Sequence, residues 1–398
     1  MRPSNSSTEQ SAGQMEFKQN LLRTIIKPSH NRFARPAAAA SHHTLAKAIT
    51  YTQNGDPTKV LVLKKFTLGP PKGNELGLRF RLSTLNPADI NTIQGRYPWK
   101  PEIRKDLIKD EQFYVAGNEG LAEVVSLGAE VDPKHWKIGD WVLMGKPQLG
   151  TWQSHTNLAA EDVIKLPNSE RLSETQAATM SVNMSTAYRM IKDYLPQPSS
   201  PDTWIIQNGA NSSVGQYLLQ LCKAWDLGCI GLIRDRPNVE DLKRYLTRLG
   251  SDNKTTIMTY EELTERPKPS KPITLGLNCV SGNAETVGMM KWMLSGSRLI
   301  TYGGMSMKPL VVPTSLLIFR NLKLEGFMLT NWRMKASKIA YREMLEDLVR
   351  LIDRGHLVEH ENATIVDLHN DQAESIVRET VKESMSGRSG KKFLFRFI

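Results

Sequence analysis

Two arginines flank an aspartate at Arg234-Asp235-Arg236, downstream of a glycine-bearing turn, Asn208-Gly209-Ala210-Asn211-Ser212-Ser213. A turn of small residues between a strand and a helix points backbone N–H groups and the helix's positive end at an anion, and lets a pyrophosphate approach the backbone. At the end of the next strand, an acid would bond a ribose 2′-hydroxyl and select NAD. Arginines there offer planar, bidentate partners to a 2′-phosphate. Two arginines around one acid predict NADPH; the plainer reading is a solvated turn in which Arg and Asp pair. In the spacing GxGxxG the positions are Ala210, Ser212 and Gly215, so two of three glycines are replaced and the motif rests on its strand and helix context.

Tyr97 is the candidate for proton chemistry. Leu85-Asn86-Pro87-Ala88-Asp89 reads as a turn and helix start, with proline and an acid in the first turn, and the segment ends in a Gly95-Arg96-Tyr97-Pro98 loop. Pro98 restricts Tyr97, and a tyrosine hydroxyl can donate to a carbonyl that becomes an enolate. By spacing alone a loop tyrosine more often packs than reacts. His135 and His155 have no cysteine, acid or second histidine at ligand spacing and read as surface or packing residues.

The elements that must position these groups follow from periodicity. Trp204-Ile205-Ile206 is an apolar strand, and Val214, Leu218, Leu221 and Cys222 fall on one helix face, with Gly228 as the expected stop. From Val60 to Leu166, short β-like runs alternate with Gly and Pro. Tyr341, Met344, Leu345, Leu348, Val349 and Ile352 share a helical face closed by Gly355; a helix from Asp371 to about Glu383 and a strand from Phe393 to Phe397 end the chain.

At 398 residues the chain is long enough for two or three domains, and no stretch approaches eighteen uninterrupted apolar residues, so no membrane span is expected. The net charge of +11 is partly a leader effect: residues 1–50 hold seven Lys/Arg against two Glu. From Phe17 to Tyr51 there is no acid, while Lys18, Arg23, Lys27, Arg32, Arg35 and Lys47 intersperse Leu, Ile, Ser and Ala, the composition of a mitochondrial transit peptide. A disordered basic tail is the other reading. Three cysteines, Cys222, Cys229 and Cys279, argue against a disulfide framework.

A β-rich leading domain ahead of a dinucleotide-binding unit resembles the medium-chain dehydrogenase/reductase superfamily. Gly117-Asn118-Glu119-Gly120 stands where its zinc alcohol dehydrogenases carry Gly-His-Glu, and the leading domain has no cysteine, so no catalytic metal is expected. More narrowly, NPADINTIQGRYPWKP, the cofactor stretch, SVNMSTAYRM, TYGGMSMKPLVVPTSLLIFRNLKLEGFML and the closing GKKFLF resemble mitochondrial trans-2-enoyl-thioester reductases, over roughly Leu61 to Phe395. That resemblance puts Tyr97 at the catalytic tyrosine position. It implies cofactor contacts at Asn183, at Asn211, Ser212, Ser213 and Val214, at Arg234, Asp235 and Arg236, at Tyr302, Gly303, Gly304 and Met305, at Phe327, Met328 and Leu329, and at Lys392. Met328 stands where tryptophan is common in the family, and Ser281 where glycine is usual.

The implied fold is α/β: a β-rich GroES-like catalytic domain at 51–182, a Rossmann-type doubly wound parallel sheet at 183–337, and a C-terminal return at 338–398 behind the leader at 1–50. The implied reaction is NADPH-dependent reduction of an enoyl thioester carried on acyl carrier protein or CoA, in the mitochondrial matrix, by a homodimer joined through its cofactor domains. A proton reaches the α-carbon from Tyr97 or from a water it positions. Lys100, Arg104, Lys105 and Lys109 read either as a docking patch for an acidic carrier or as a solvated helix face. Two rivals stand: a zinc-free quinone oxidoreductase that does not depend on Tyr97, and a nonenzymatic nucleic-acid-binding protein. No groove-reading basic helix, zinc finger or aromatic RNA-binding string supports the latter, so no nucleic-acid partner is expected.

Overall fold

The structure, a computed structural model, describes residues 43–195, 202–369, 372–387 and 390–398. The expected leader lies outside the described residues up to residue 42. Its last residues belong to a strand, Thr44–Tyr51, which pairs with Val62–Leu68 and Tyr114–Val115. Ala46, Ala48 and Ile49 are fully buried on that strand, whereas Leu45 is exposed.

The β-rich part is built on a second, seven-stranded sheet. Its order is Ala363–Leu368, Lys392–Phe397, Glu75–Thr84, Gly120–Leu127, Trp141–Met144 and Val163–Lys165, with His155–Ala159 also paired to Glu75–Thr84. The expected terminal strand is present and pairs antiparallel with the leading sheet, Leu394 opposite Thr84 and Phe395 opposite Ser83. Trp152 locks this junction: it is fully buried, meets Phe395 edge-on at 5.0 Å and donates from Nε1 to the Thr84 carbonyl at 2.9 Å. Gly117 is required beside it, since its φ is +88° and a Cβ there would sit 2.2 Å from Trp152 Cδ1.

The second part is a six-stranded parallel sheet in the order Thr255–Thr259, Gly228–Ile233, Trp204–Asn208, Ile273–Asn278, Arg298–Thr301, Lys323–Gly326. This is the doubly wound order, and its direction reverses between Trp204–Asn208 and Ile273–Asn278, where such sheets open a ligand crevice. All five residues of Trp204–Asn208 are buried, as a central parallel strand covered on both faces requires. The following helix, Ser213–Ala224, buries Leu218, Leu221 and Cys222 completely, with Val214 at the margin. Gly228 does not stop it. Trp225 caps the helix, Asp226 takes the left-handed conformation at φ 54°, and Gly228 opens the next strand, where a Cβ would lie 2.2 Å from the Trp204 ring.

The C-terminal helices lie where periodicity put them. Lys338–Asp353 buries all six expected positions, and Ala373–Met385 precedes the last strand. Unforeseen was a turn of π-helix at Met180–Met184, between Glu174–Thr179 and Ser185–Tyr194; such turns often accompany functional sites. No helix among the described residues is long and apolar enough to cross a membrane.

Candidate active site

The short helix Pro87–Ile93 is fixed at its start by a reciprocal cap: the Asp89 carboxylate accepts the Asn86 backbone N–H at 2.7 Å. Its far end feeds the tyrosine loop, where the N–H groups of Arg96 and Tyr97 both reach the Asn91 carbonyl. Tyr97 is thereby carried to the seam with the other sheet. Its hydroxyl lies 3.4 Å from Thr330 Oγ1, and the Trp99 indole N–H lies 3.4 Å from Asn331 Oδ1. Thr330 and Asn331 belong to the helix Leu329–Lys335, which also sends Arg333 across to the Met144 carbonyl. Burial raises the Tyr97 hydroxyl's pKa, with Asp89 acting the same way, against the Thr330 hydrogen bond and the Arg333 charge. In that protonated state the hydroxyl is a donor.

Beneath Tyr97 runs a buried polar network that sequence reading missed. Glu119, wholly buried, accepts at Oε2 from Thr84 Oγ1 (2.8 Å), Asn86 Nδ2 (2.8 Å) and Asn183 Nδ2 (3.0 Å), and at Oε1 from the Val182 N–H (2.6 Å). Lys392 Nζ donates to Asn86 Oδ1 at 2.6 Å and to the Leu85 carbonyl at 3.2 Å. Asn86 is therefore oriented by chemistry: its oxygen faces an ammonium and its amide faces a carboxylate. Burial raises Asp89 to about 7, while burial lowers Lys392 against the pull of Glu119 and Asp89. The available signals were Asp89 at the third helical position after Asn86 and Glu119 in Gly-Asn-Glu-Gly. Thr330 and Arg333 had no signal. Asn118, at the position of the zinc ligand, accepts the Gln148 N–H at 2.6 Å. Among the described residues no three His, Cys, Asp or Glu cluster as a metal site. His155 is half-buried against Ser154, and burial lowers its pKa, as do Arg79 and Lys47.

Asn183 and Lys392, expected among the cofactor contacts, lie in the buried network beneath Tyr97; the other expected cofactor residues follow the carboxyl ends of the parallel strands. Gly209, at φ +62°, and Gly215 keep the turn tight; a Cβ on Gly215 would lie 2.7 Å from the Gly209 and Ala210 carbonyls. Ser212 caps the helix, accepting the Gly215 N–H at 3.1 Å, so Ser213 and Val214 form its first turn. Tyr302 to Met305 cross the neighbouring strand ends: Tyr302 N–H reaches the Asn278 carbonyl and Met305 N–H the Cys279 carbonyl, both at 2.9 Å, and Gly303 packs so closely that a Cβ would lie 3.0 Å from the Cys279 carbonyl oxygen. The Tyr302 hydroxyl is buried by Cys279 and Ser212, and burial raises its pKa well above the usual value. Ser281 adopts φ +62°, the left-handed conformation that accounts for glycine being usual there; its N–H bonds Asn278 Oδ1 at 2.9 Å. Phe327 is buried, and Met328 precedes the helix that begins at Leu329. Arg234 donates to the Gly387 carbonyl at 2.8 Å, and Asp235 is exposed. Arg236 Nε is buried with no partner among the described residues, and burial and the Arg234 charge lower its pKa. Two adjacent guanidinium groups, one with an orphaned donor, fit a phosphate, and the glycine cradle fits a dinucleotide.

A doubly wound cofactor sheet beside a β-rich sheet, with a tyrosine at their seam, defines a two-domain reductase of the medium-chain dehydrogenase/reductase class. The quinone oxidoreductase of Pseudomonas syringae shares this fold, with a TM-score of 0.68 at 20% identity over 88% of this chain and 99% of that one. The mitochondrial enoyl-[acyl-carrier-protein] reductase of Schizosaccharomyces pombe is 37% identical over 361 residues, 88% of this chain and 94% of its own. Solved structures of Etr1p, in complex with NADP and crotonyl-CoA and as the Etr1p/Etr2p heterodimer from Candida tropicalis, are 31% identical, with TM-scores of 0.80 and 0.79 over 89% of this chain and 100% of theirs. No family model matches the chain. The chain belongs to the mitochondrial enoyl-[acyl-carrier-protein] reductase family.

Proposed function

We infer that this chain reduces trans-2-enoyl thioesters with NADPH in the mitochondrion. The observation that carries this reading is Tyr97, held at the seam 3.4 Å from Thr330 in a chain that is 37% identical to an enoyl reductase. Arg234 and Arg236 would hold the 2′-phosphate and the Gly209–Val214 turn the pyrophosphate, with Tyr302 to Met305, Phe327 to Leu329, Asn183 and Lys392 as the remaining cofactor contacts. The hydride for the β-carbon is what bound NADPH supplies. As it adds, the carbon–carbon double-bond pair shifts between the α-carbon and the carbonyl carbon and the carbonyl pair moves onto the thioester oxygen; collapse of this enolate restores the carbonyl and gives the α-carbon the pair with which it takes a proton. Tyr97 donates to that oxygen as charge develops and gives the proton, directly or through one water; Thr330 and Arg333 stabilise the phenolate that remains. Asn86, Glu119 and Asp89 hold the helix that carries the tyrosine loop.

The division at 51–182, 183–337 and 338–398 is part of this reading, supported by the return of Lys392–Phe397 onto Glu75–Thr84. So is a homodimer through the cofactor sheet, for which Etr1p/Etr2p offers a heterodimeric parallel. Lys323–Gly326 ends the sheet, and Ile318 and Phe319 beside it are 68% and 81% exposed, the kind of edge a second copy covers. For the carrier, Lys100, Lys105 and Lys109 are exposed, whereas Arg104 is held by Asp106 at 2.9 and 2.7 Å. Docking there predicts salt-screened turnover of a carrier-bound substrate and none of that screening for a short thioester.

The test is NADPH oxidation with trans-2-enoyl-CoA and, in parallel, a quinone, using wild type and Tyr97→Phe. Loss of one donor to a developing oxyanion should lower enoyl turnover by about 10²-fold. Full turnover by Tyr97→Phe, or turnover of the quinone alone, overturns the reading.

A further inference from the structure

Behind the cofactor turn lies a second buried network, separate from the one under Tyr97. Gln216, on the helix Ser213–Ala224, donates from Nε2 to the Asn211 carbonyl at 3.0 Å. A carbonyl only accepts, so the amide must show its NH₂ to Asn211 and keep its oxygen on the other side. That oxygen is met by the Tyr245 hydroxyl at 2.8 Å and by His360 Nδ1 at 2.8 Å. His360 Nδ1 is then the protonated nitrogen, which leaves Nε2 as a bare lone pair; it is buried and has no partner among the described residues. The ring packs on Tyr217 at 4.5 Å, and Tyr217 in turn bonds Thr179 Oγ1 at 3.1 Å. Burial, with Lys392 nearby, depresses the His360 pKa to about 3, in accord with a neutral ring.

His360 does not belong to the parallel sheet. It lies in the segment that returns to the β-rich part: its carbonyl accepts the Ala363 N–H, and the Asn362 carbonyl accepts the Lys392 N–H, both at 3.0 Å. The amide of Gln216 thus joins the cofactor turn to the strand that carries Lys392. We propose that Gln216 is a positioning residue for NADPH, locked by the Nδ1–H tautomer of His360, so that the C-terminal return sets the height of the Asn211 carbonyl and with it the cofactor turn. This rests on the assignment of that turn to NADPH.

The full-length chain carrying Gln216→Met, His360→Leu or His360→Asn is compared with wild type by fluorescence titration of NADPH, by KM for NADPH and for an enoyl-CoA, and by thermal melting. Gln216→Met removes one buried hydrogen bond to the turn and should weaken NADPH by about tenfold, leaving the enoyl-CoA KM within about twofold. His360→Leu should weaken NADPH similarly. Asn keeps a donor where Nδ1 stood, so His360→Asn should restore binding to within about twofold of wild type. If Gln216→Met fails to fold, the His360 pair decides. Variants that melt lower yet bind NADPH as wild type does overturn this proposal alone, as does a His360→Asn no better than His360→Leu. A wild-type chain that binds no NADPH overturns it together with the assignment of the turn.

Discussion

Replacing Glu119 by Gln removes one charge and changes little in volume, so its consequences follow from counting donors. Oε2 receives Thr84, Asn86 and Asn183, and Oε1 receives the Val182 N–H. An amide NH₂ at Oε2 would oppose two side-chain amides, each pinned by other bonds; at Oε1 it opposes only Val182 and Ser181, whose hydroxyl can turn to accept. The second orientation is cheaper, and it still strands one buried backbone donor, at about 1–3 kcal/mol. The three bonds at Oε2 also fall from charge-assisted to neutral strength, a loss of roughly 1 kcal/mol each, offset in part because a buried charge no longer needs desolvating. The net expectation is a loss of about 2–4 kcal/mol. For a chain of 398 residues the scale is about 1.2 °C per kcal/mol, so the melting point should fall by roughly 2–5 °C. Because Asn183 loses its charged partner, the KM for NADPH should rise several-fold as well. Thermal melting and NADPH titration of Glu119→Gln check both. A melting point within about 1 °C of wild type, with unchanged KM, would show that the carboxylate is not the centre of this network.

Exchanging both Arg234 and Arg236 for Ala should raise the KM for NADPH at least about tenfold and that for NADH by less than about twofold, since each charge-assisted bond to a phosphate is worth about 1.5–3 kcal/mol; equal effects would refute the 2′-phosphate assignment. Asp89 has a folded pKa of about 7, above its unfolded value, so its contribution to stability is full below the unfolded value and is lost as pH rises to 7, by up to about 1.4 kcal/mol per unit. Asp89→Asn imitates the protonated acid and should gain on wild type across that window in denaturant titrations; a pH-independent difference would count against the buried acid. His360, depressed to about 3, acts oppositely: its contribution is full above the unfolded value near 6.5 and falls as pH drops from there towards 3, so His360→Asn should flatten the acid limb of the stability profile. The proposed homodimer predicts that wild type sediments as a dimer and Phe319→Glu as a monomer; a monomeric wild type would refute the homodimer, and an unchanged dimer would place its interface elsewhere.

Local chemistry determined much of this molecule. The helix face from Tyr341 to Ile352, the strand at Trp204, the capped helix before Tyr97 and the final strand all follow from periodicity or capping, because each needs only neighbours within a few residues. The arginines at the second strand's end were legible for the same reason, as a charged pair closing an apolar run. The stop at Gly228 was misread because a glycine after a helix looks like a cap, whereas the Trp204 ring across the sheet is what excludes a side chain there. Only the tertiary structure decided which polar groups meet. Asn86, Glu119, Asn183 and Lys392 come from four separate segments, and a buried carboxylate's partners are chosen by which donors the folded layers bring within about 3 Å, a relation that leaves no spacing in the sequence. The same holds for Thr330 facing Tyr97, 233 positions apart, and for Gln216 facing His360, 144 apart: their meeting was set by two sheets closing on one another.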